Sequence, residues 1–167
     1  MVNPVNARLI LVINDVCLSR CPHCALHLGR RKIDMSTLGA SLNSFLSEGA
    51  GSCSIKLSGG EPLADFPHTR KVVRLIRAKF RRIGSKPVIS LCVNLAHLRK
   101  EHLRFLCAHD IDLSVTLCLN SNLGNRPLSH IGMLKELACR RPVTVNLVIT
   151  PAAVAGFFAS FVFLVDE

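Results

Sequence analysis

The stretch Cys17-Leu18-Ser19-Arg20-Cys21-Pro22-His23-Cys24 places three cysteines in one short loop, at C-x3-C-x2-C spacing. It follows an apolar run, residues 9–13, which predicts a buried strand. Soft thiolate ligands select zinc, Cu(I) or iron–sulfur clusters over hard cations. Three thiols this close together therefore predict a metal centre directly after the first strand.

The number of cysteines separates the kinds of centre that this loop can hold. A cubane cluster has four irons, so three cysteines leave one iron free to bind a small molecule. A structural zinc ion takes four ligands, and His27 could complete a set with Cys17, Cys21 and Cys24. Plain buried cysteines are a third interpretation. The loop alone favours the cluster and leaves the other two open.

A second loop, Ser58-Gly59-Gly60-Glu61-Pro62, follows the next strand-like run. Glycines let a backbone approach a ligand closely and adopt a positive φ. A proline restricts the residue before it to extended conformations. Two glycines alone indicate an ordinary turn, but after the cysteine loop, and in this order, they indicate a binding loop.

Together, the two loops resemble those of the radical S-adenosylmethionine (radical SAM) superfamily. The resemblance implies that Cys17, Cys21 and Cys24 hold a [4Fe-4S] cluster, whose fourth iron is chelated by the amino and carboxylate groups of S-adenosylmethionine. It implies that His23 lies beside the adenine, where an aromatic residue is more usual. It also implies a loop that binds the amino group, formed by Gly59, Gly60, Glu61 and Pro62.

Three later positions match this family less closely. Its third strand often ends in Thr-Asn-Gly, and here only Asn94 is kept. Its fourth strand often ends in Ser-Leu-Asp near the ribose; here Thr116 supplies a hydroxyl and Cys118 replaces the carboxylate. Arg126 corresponds to an arginine often found near the carboxylate of S-adenosylmethionine, although a surface arginine in a turn explains it equally well. The resemblance thus adds Asn94, Thr116 and Arg126 to the cofactor-binding residues.

Strand-like and helix-like patterns alternate along the chain. The expected strands are residues 7–14, 53–57, 88–94, 112–119 and 143–149. The expected helices are one capped by Asp34, a basic one ending by Gly84, then 98–108, 128–139 and one from Pro151. This alternation predicts an α/β fold with a parallel sheet, whose ligands bind at the carboxyl ends of the strands. The resemblance makes it a partial (β/α) barrel of the radical SAM type, with about five β–α units.

The chain length is typical of a single domain, and the scattered cysteines are typical of a protein in a reducing compartment. We expect residues 1–167 to form a single radical SAM core domain that is incomplete at its C-terminal end, and we expect it to be cytoplasmic. The uncharged stretch 143–165 is interrupted by Asn146 and Pro151, which favours a strand and a buried helix over a membrane span. Buried, inert thiols are expected at the scattered cysteines, Cys53, Cys92, Cys107, Cys118 and Cys139.

The chain carries a net charge of +10, from 21 Lys and Arg against 11 Asp and Glu. The excess concentrates at residues 70–82, where basic and apolar residues share one helix. This pattern favours the solvated face of an amphipathic helix over a nucleic-acid surface. The chain has no Tyr or Trp on which bases could stack. We therefore expect neither nucleic acid nor a membrane as a partner.

The resemblance implies an enzyme in which the cluster and S-adenosylmethionine generate a 5′-deoxyadenosyl radical. That radical abstracts hydrogen from a substrate, expected to be a peptide or a cofactor precursor, as in peptide-modifying and cofactor-building maturases. An electron donor such as flavodoxin or ferredoxin is the expected partner, and no side chain is needed as a general base. The alternatives are a glycyl-radical-enzyme activating enzyme, a catalytically inactive truncated barrel and a zinc-stabilised nucleic-acid-binding module.

Overall fold

The computed structural model describes residues 7–17, 19, 21, 24, 26–48, 53–118 and 127–148, with the backbone alone at 117–118, 127–131 and 147. Strands and helices alternate along these residues, as predicted. The strands are β1 (Ala7–Asn14), β2 (Cys53–Gly59), β3 (Val88–Asn94), β4 (Ile111–Cys118) and β5 (Val143–Val148). The helices are α1 (Met35–Ser47), α2 (Phe66–Arg82), α3 (Lys100–Ala108) and α4 (Pro127–Ala138).

The five strands form one parallel sheet, and their order in space is their order in the chain, β1-β2-β3-β4-β5. Parallel neighbours cannot be joined by a tight hairpin, so a helix crosses over between each pair. The predicted α/β class is confirmed, and the sheet and its helices form a partial barrel. The carboxyl ends of all five strands, and the loops that follow them, therefore lie at one edge of the sheet.

The helix-covered side of the sheet is the hydrophobic core. Ile55 of β2 and Leu91 of β3 have no solvent exposure, and α2 packs Ile76 and Phe80 in the same core. Removing a fully buried phenylalanine side chain costs about 3–5 kcal/mol. Because side chains alternate between the two faces of a strand, a slip of one residue would expose this layer, so burial fixes the strand register.

The other side of the sheet is hydrophilic, and we call it the polar face. Val88 and Val148 also lie on this side, and its other residues in β2 to β5 are Ser54, Lys56, Ser58, Ser90, Cys92, Asn94, Asp112, Ser114, Thr116, Thr144 and Asn146. Asn146, which interrupts the uncharged stretch near the C-terminus, donates its Nδ2 to Ser114 Oγ at 2.8 Å. The same side of β1 exposes Ile10 and Val12, which are 60% and 56% exposed.

Several element boundaries differ from the predicted ones. β2 continues through Gly59, and β4 spans Ile111–Cys118 instead of 112–119. α3 begins two residues late, at Lys100, because Leu95–His97 form a 3₁₀ turn and Leu98 is extended, with ψ at 135°. The helix predicted from Pro151 lies outside the described residues. Asp34 caps α1 as predicted, accepting the N–H groups of Ser36 and Thr37.

The basic residues of α2 divide into two groups. Arg70, Lys71 and Arg74 are exposed, as the solvated-face prediction requires. Arg77 is an exception, because its guanidinium donates to the carbonyls of Pro87, His109 and Asp110 at 2.8, 2.8 and 3.1 Å. It ties α2 to the segments that lead into β3 and β4. None of the helices that the structure describes combines the length and the apolar character needed to cross a bilayer.

Candidate functional site

The loops that follow β1 and β2 are joined by their backbones. The N–H of Gly60 donates to the Asn14 carbonyl at 2.9 Å, and the N–H of Glu61 donates to the Val16 carbonyl at 2.6 Å. The ladder between β1 and β2 shifts register between Val12 and Asn14, just before these contacts. The start of the cysteine loop and the Gly-Gly-Glu segment therefore form one structural unit.

The two glycines are required by this contact between the loops. Gly59 has φ at +148°, and a Cβ there would lie 2.3 Å from the Asn14 carbonyl oxygen. A Cβ on Gly60 would lie 2.5 Å from the Val16 carbonyl oxygen, although its φ is not positive. The glycine loop thus uses both properties of glycine, a positive φ at Gly59 and a close approach at Gly59 and Gly60. In the described chain, the close approach is between two backbones, a reason that the sequence motif does not reveal.

The far end of the cysteine loop returns along β1. Ile33 donates its N–H to the Ile13 carbonyl at 2.9 Å, and Gly29 donates to the Asp15 carbonyl at 3.0 Å. The Asp15 carboxylate also accepts the N–H of Arg31 at 2.6 Å. Hydrogen bonds at both ends close the loop at its base, so the cysteines are carried on a segment with a fixed entrance and exit.

A cavity of about 210 Å³ opens where these loops meet the carboxyl ends of the strands. It is lined by Cys17, Ser19, Cys21, Cys24, Leu28, Ser58, Gly59, Gly60, Glu61, Cys92, Val93, Asn94, Thr116 and Val148. Eight of the predicted site residues are among these. Pro62 is buried next to the cavity, and its carbonyl accepts the Thr69 hydroxyl at 2.6 Å. His23 and Arg126 lie outside the described residues.

Two of the three cysteines of the loop are half-buried, and Cys24 is exposed. The N–H of Ser19 donates to Cys17 Sγ at 3.4 Å, and that of Cys24 donates to the Cys21 carbonyl at 3.0 Å. Within the described ranges, no three His, Cys, Asp or Glu residues are grouped closely enough to hold one metal ion.

Glu61 is buried beneath the cavity with only 1% of its surface exposed. One carboxylate oxygen accepts the N–H of Leu63 at 3.0 Å, and the other accepts the N–H of Asn94 at 2.7 Å. Burial raises the pKa of Glu61 to about 7, against the lowering effect of these two hydrogen bonds. The side chain thus connects the glycine loop to the end of β3, a connection that the motif alone did not predict.

Asn94 and His97 attach the cysteine loop to the end of β3. Ser19 Oγ lies 2.9 Å from His97 Nε2 and 3.4 Å from Asn94 Nδ2, while Asn94 Oδ1 accepts the N–H of Ala96 at 3.0 Å. Burial, and then the positive charge of Arg99, lower the pKa of His97. Sequence reasoning missed Ser19 and His97, since 78 positions separate them and neither belongs to a recognisable motif.

Cys92 and Thr116 face each other across β3 and β4, with Sγ and Oγ1 3.9 Å apart. Cys92 lines the cavity and is half-buried, whereas the sequence predicted a buried, inert thiol. That prediction is confirmed for Cys53 and wrong for Cys139, which is exposed after α4. Cys107 is half-buried, and the Cys118 side chain lies outside the description. The position of Cys92, two residues before Asn94, was the available signal.

Comparison with known proteins finds solved structures that share this fold. No protein-family model and no curated protein matches the chain. Among solved structures, anSMEcpe with bound AdoMet (S-adenosylmethionine), an anaerobic sulfatase-maturating radical SAM enzyme, superposes with a TM-score of 0.70 at 19% identity, over 94% of this chain. The chain shares the fold of this radical SAM enzyme, a parallel sheet with alternating helices in a partial barrel.

Two further anSMEcpe structures share the radical SAM fold with this chain. One holds AdoMet and the Kp18Cys peptide (TM-score 0.67, 20% identity), and the other holds AdoMet and the Cp18Cys peptide (TM-score 0.66, 19% identity). Each match covers 94% of this chain and 49% or 48% of the solved one. The chain therefore spans about half the length of these structures.

Proposed function

We propose that this chain is the cluster-binding and S-adenosylmethionine-binding core of a radical SAM enzyme. The observation that supports this most is the shared cavity, which brings Cys17, Cys21 and Cys24 together with Gly59 and Gly60. These residues come from two loops at the carboxyl ends of neighbouring parallel strands, where α/β folds bind their ligands. The radical SAM fold adds support, because its arrangement of strands was found independently of these motifs.

We propose a [4Fe-4S] cluster for this donor set, because three thiolates leave one of the four irons open to S-adenosylmethionine. Ligands of one zinc ion must converge to within about 2.3 Å of one point. Thiolates that bind a cluster each bind a different iron, so they line a larger cavity without meeting at one point. Cys17, Cys21 and Cys24 line one cavity, as the ligands of a cluster would. The chemistry that cluster and S-adenosylmethionine supply when bound is reductive cleavage to methionine and a 5′-deoxyadenosyl radical.

The chain's own residues position these groups. Gly59, Gly60 and Glu61 hold the loop proposed for the amino group against the start of the cysteine loop. Thr116 presents its hydroxyl to the cavity and is proposed to contact the ribose. Asn94 supports the cysteine loop through Ser19, so its proposed cofactor role is one of positioning. The proposals for His23 at the adenine and Arg126 at the carboxylate rest on sequence.

The substrate proposed here is a peptide or a cofactor precursor, with flavodoxin or ferredoxin as the electron donor. A peptide is favoured because two structures with the same fold hold peptides beside AdoMet. No side chain is assigned as a general base, since the cofactors carry the bond-breaking step.

Electron paramagnetic resonance of the anaerobically reconstituted, dithionite-reduced protein tests this proposal. We expect a reduced cluster signal that changes when S-adenosylmethionine is added, because an open iron site binds it. Cys21→Ala should lose this signal. Cys139→Ala, which removes an exposed thiol beyond α4, should keep it. A protein that assembles no cluster, or a signal that persists in Cys21→Ala, would contradict the proposal. A cluster without 5′-deoxyadenosine formation would indicate the inactive barrel.

A further inference from the structure

The middle of the polar face contains a cation, Lys56, that has no counterion in the described part of the chain. Lys56 is half-buried at the centre of β2, between Ile10 of β1 and Ser90 of β3 in the strand register. Among the Lys and Arg side chains that the structure describes, it is the one that is half-buried and makes no hydrogen bond or ion pair. Other half-buried cations have partners: Arg77, Lys79 and Arg141.

Two serines are neighbours of Lys56 on the polar face. Ser90 lies directly opposite Lys56 in the register, and Ser58 is two residues further along the same face of β2. Both are half-buried, and neither hydroxyl has a hydrogen-bond partner among the described residues. The polar atoms of Lys56, Ser58 and Ser90 are not among the buried unpaired atoms of the described residues, so they are open to a ligand from solvent. One cation with two neighbouring hydroxyl donors is a set that suits an anion.

Among the described residues, no acidic side chain on the polar face is free to neutralise Lys56. Asp112 is on the same face, opposite Ser90, but its carboxylate accepts from Arg141 Nη2 at 2.6 Å. The other charged residue on this side, Arg8 at the start of β1, is itself positive and exposed. The described part of this face therefore attracts negative charge.

We propose that Lys56 binds an anionic group of the substrate, a carboxylate or a phosphate, with Ser58 and Ser90 as additional donors. The proposal rests on the proposed function only in assigning this anion to the substrate. Two residues along a strand span about 7 Å. Lys56 lies that distance below Ser58, which lines the cavity. An anion at Lys56 thus leaves the other end of the molecule in the cavity beside the cysteine loop.

Anion binding by the metal-free protein tests the proposal without cluster or cofactor. Inorganic phosphate and succinate are titrated at constant ionic strength, and ¹H–¹⁵N NMR follows the backbone amides. We expect saturable shifts at Ser58, Ser90 and Cys92 with at least one of the probes. Tighter binding of phosphate would identify the anionic group as a phosphate, and tighter binding of succinate would identify it as a carboxylate. Shifts that map instead to the exposed basic residues of α2 would overturn the proposal, as would shifts that do not saturate.

Variants separate this site from the general positive charge. A hydrogen bond to a charged group contributes about 1.5–3 kcal/mol, so Lys56→Met should weaken binding about tenfold or more. Lys56→Arg should restore most of it. Lys100→Met, which removes an exposed cation from the start of α3, should bind as the unaltered chain does. Equal losses in Lys56→Met and Lys100→Met would refute the assignment. Anion binding at Lys56 is measured on the metal-free protein, so a failure to assemble the cluster would contradict the proposed function without affecting this test.

Discussion

Single residues at the loop junction decide whether the site can form. Gly59 is enclosed by the backbone of Asn14, and Glu61 is enclosed by protein with both oxygens bonded to amides. Neither requirement comes from a ligand. The Gly-Gly-Glu-Pro motif therefore has a structural role in the described chain that precedes any binding role.

Two glycine-to-alanine substitutions should have opposite effects on stability. Gly59→Ala places a Cβ 2.3 Å from a backbone oxygen at a φ of +148°, so we expect a loss of at least about 1–3 kcal/mol. Gly39→Ala lies inside α1 with no atom within 4 Å of the new Cβ, so we expect a gain of about 0.5–1 kcal/mol. Urea unfolding of the metal-free, reduced protein measures both. Similar effects of the two substitutions would contradict the described loop contact.

The raised pKa of Glu61 makes stability depend on pH. Its folded pKa of about 7 lies above the ordinary value near 4.5, so the folded state binds this proton more tightly. The contribution is fully present below pH 4.5 and is lost as pH rises through 7. As pH rises from 5 to 8, the free energy of unfolding of the unaltered chain should fall by on the order of 3 kcal/mol relative to that of Glu61→Gln.

Urea titrations at several pH values measure this difference, and Glu136→Gln serves as the control because Glu136 is exposed on α4. Parallel stability curves for Glu61→Gln and the unaltered chain would show that Glu61 takes up no proton in this range.

At the scale of elements, the cysteine loop is held by its neighbours at several points. β1 closes its base through Ile13 and Asp15, the glycine loop pairs with Asn14 and Val16, and the turn after β3 contacts Ser19. The last contact consists of side-chain hydrogen bonds of Ser19 to His97 and Asn94, the shorter of them to His97, without the backbone pairing that supports the other contacts.

His97→Ala should loosen the cysteine loop without unfolding the sheet. One hydrogen bond is worth about 0.5–1.5 kcal/mol, so alkylation of Cys17 in the metal-free protein should accelerate about twofold to tenfold. Iodoacetamide labelling resolved by mass spectrometry measures this, with the exposed Cys139 as a reference within each chain. Ser47→Ala, at the end of α1, is the matched control. An unchanged Cys17 rate would mean that the contact does not hold the loop.

Sequence patterns predicted the elements better than the contacts between them. β1 and β3 have the predicted bounds, because alternation of polar and apolar residues is a local signal. The start of α3 was missed, since the turn at Leu95–His97 depends on the side chain of Asn94 accepting the Ala96 N–H. The contact of Ser19 with His97 and the cavity-facing position of Cys92 depend on the folded sheet, which no local pattern contains.

Across the whole molecule, the two ends of the sheet have different roles. At the amino ends, Arg141 bridges Asp110 and Asp112, and Arg77 binds three carbonyl groups. At the carboxyl ends lie the cavity and the proposed cofactor loops. This is the division expected of parallel α/β folds, in which one end stabilises and the other binds. The positive charge is not divided between the two ends in this way, because most of the basic excess is on helix α2.

Each strand of the sheet pairs with the strand that precedes it in the chain. A ribosome delivers the strands in that same sequence, and domains form from the N-terminal side during synthesis. Every described β–α unit after β1 thus emerges next to a strand that is already present, beginning with β1, which precedes the cysteine loop. None of the described strands after β1 therefore has to wait for translation of a later strand before it can pair.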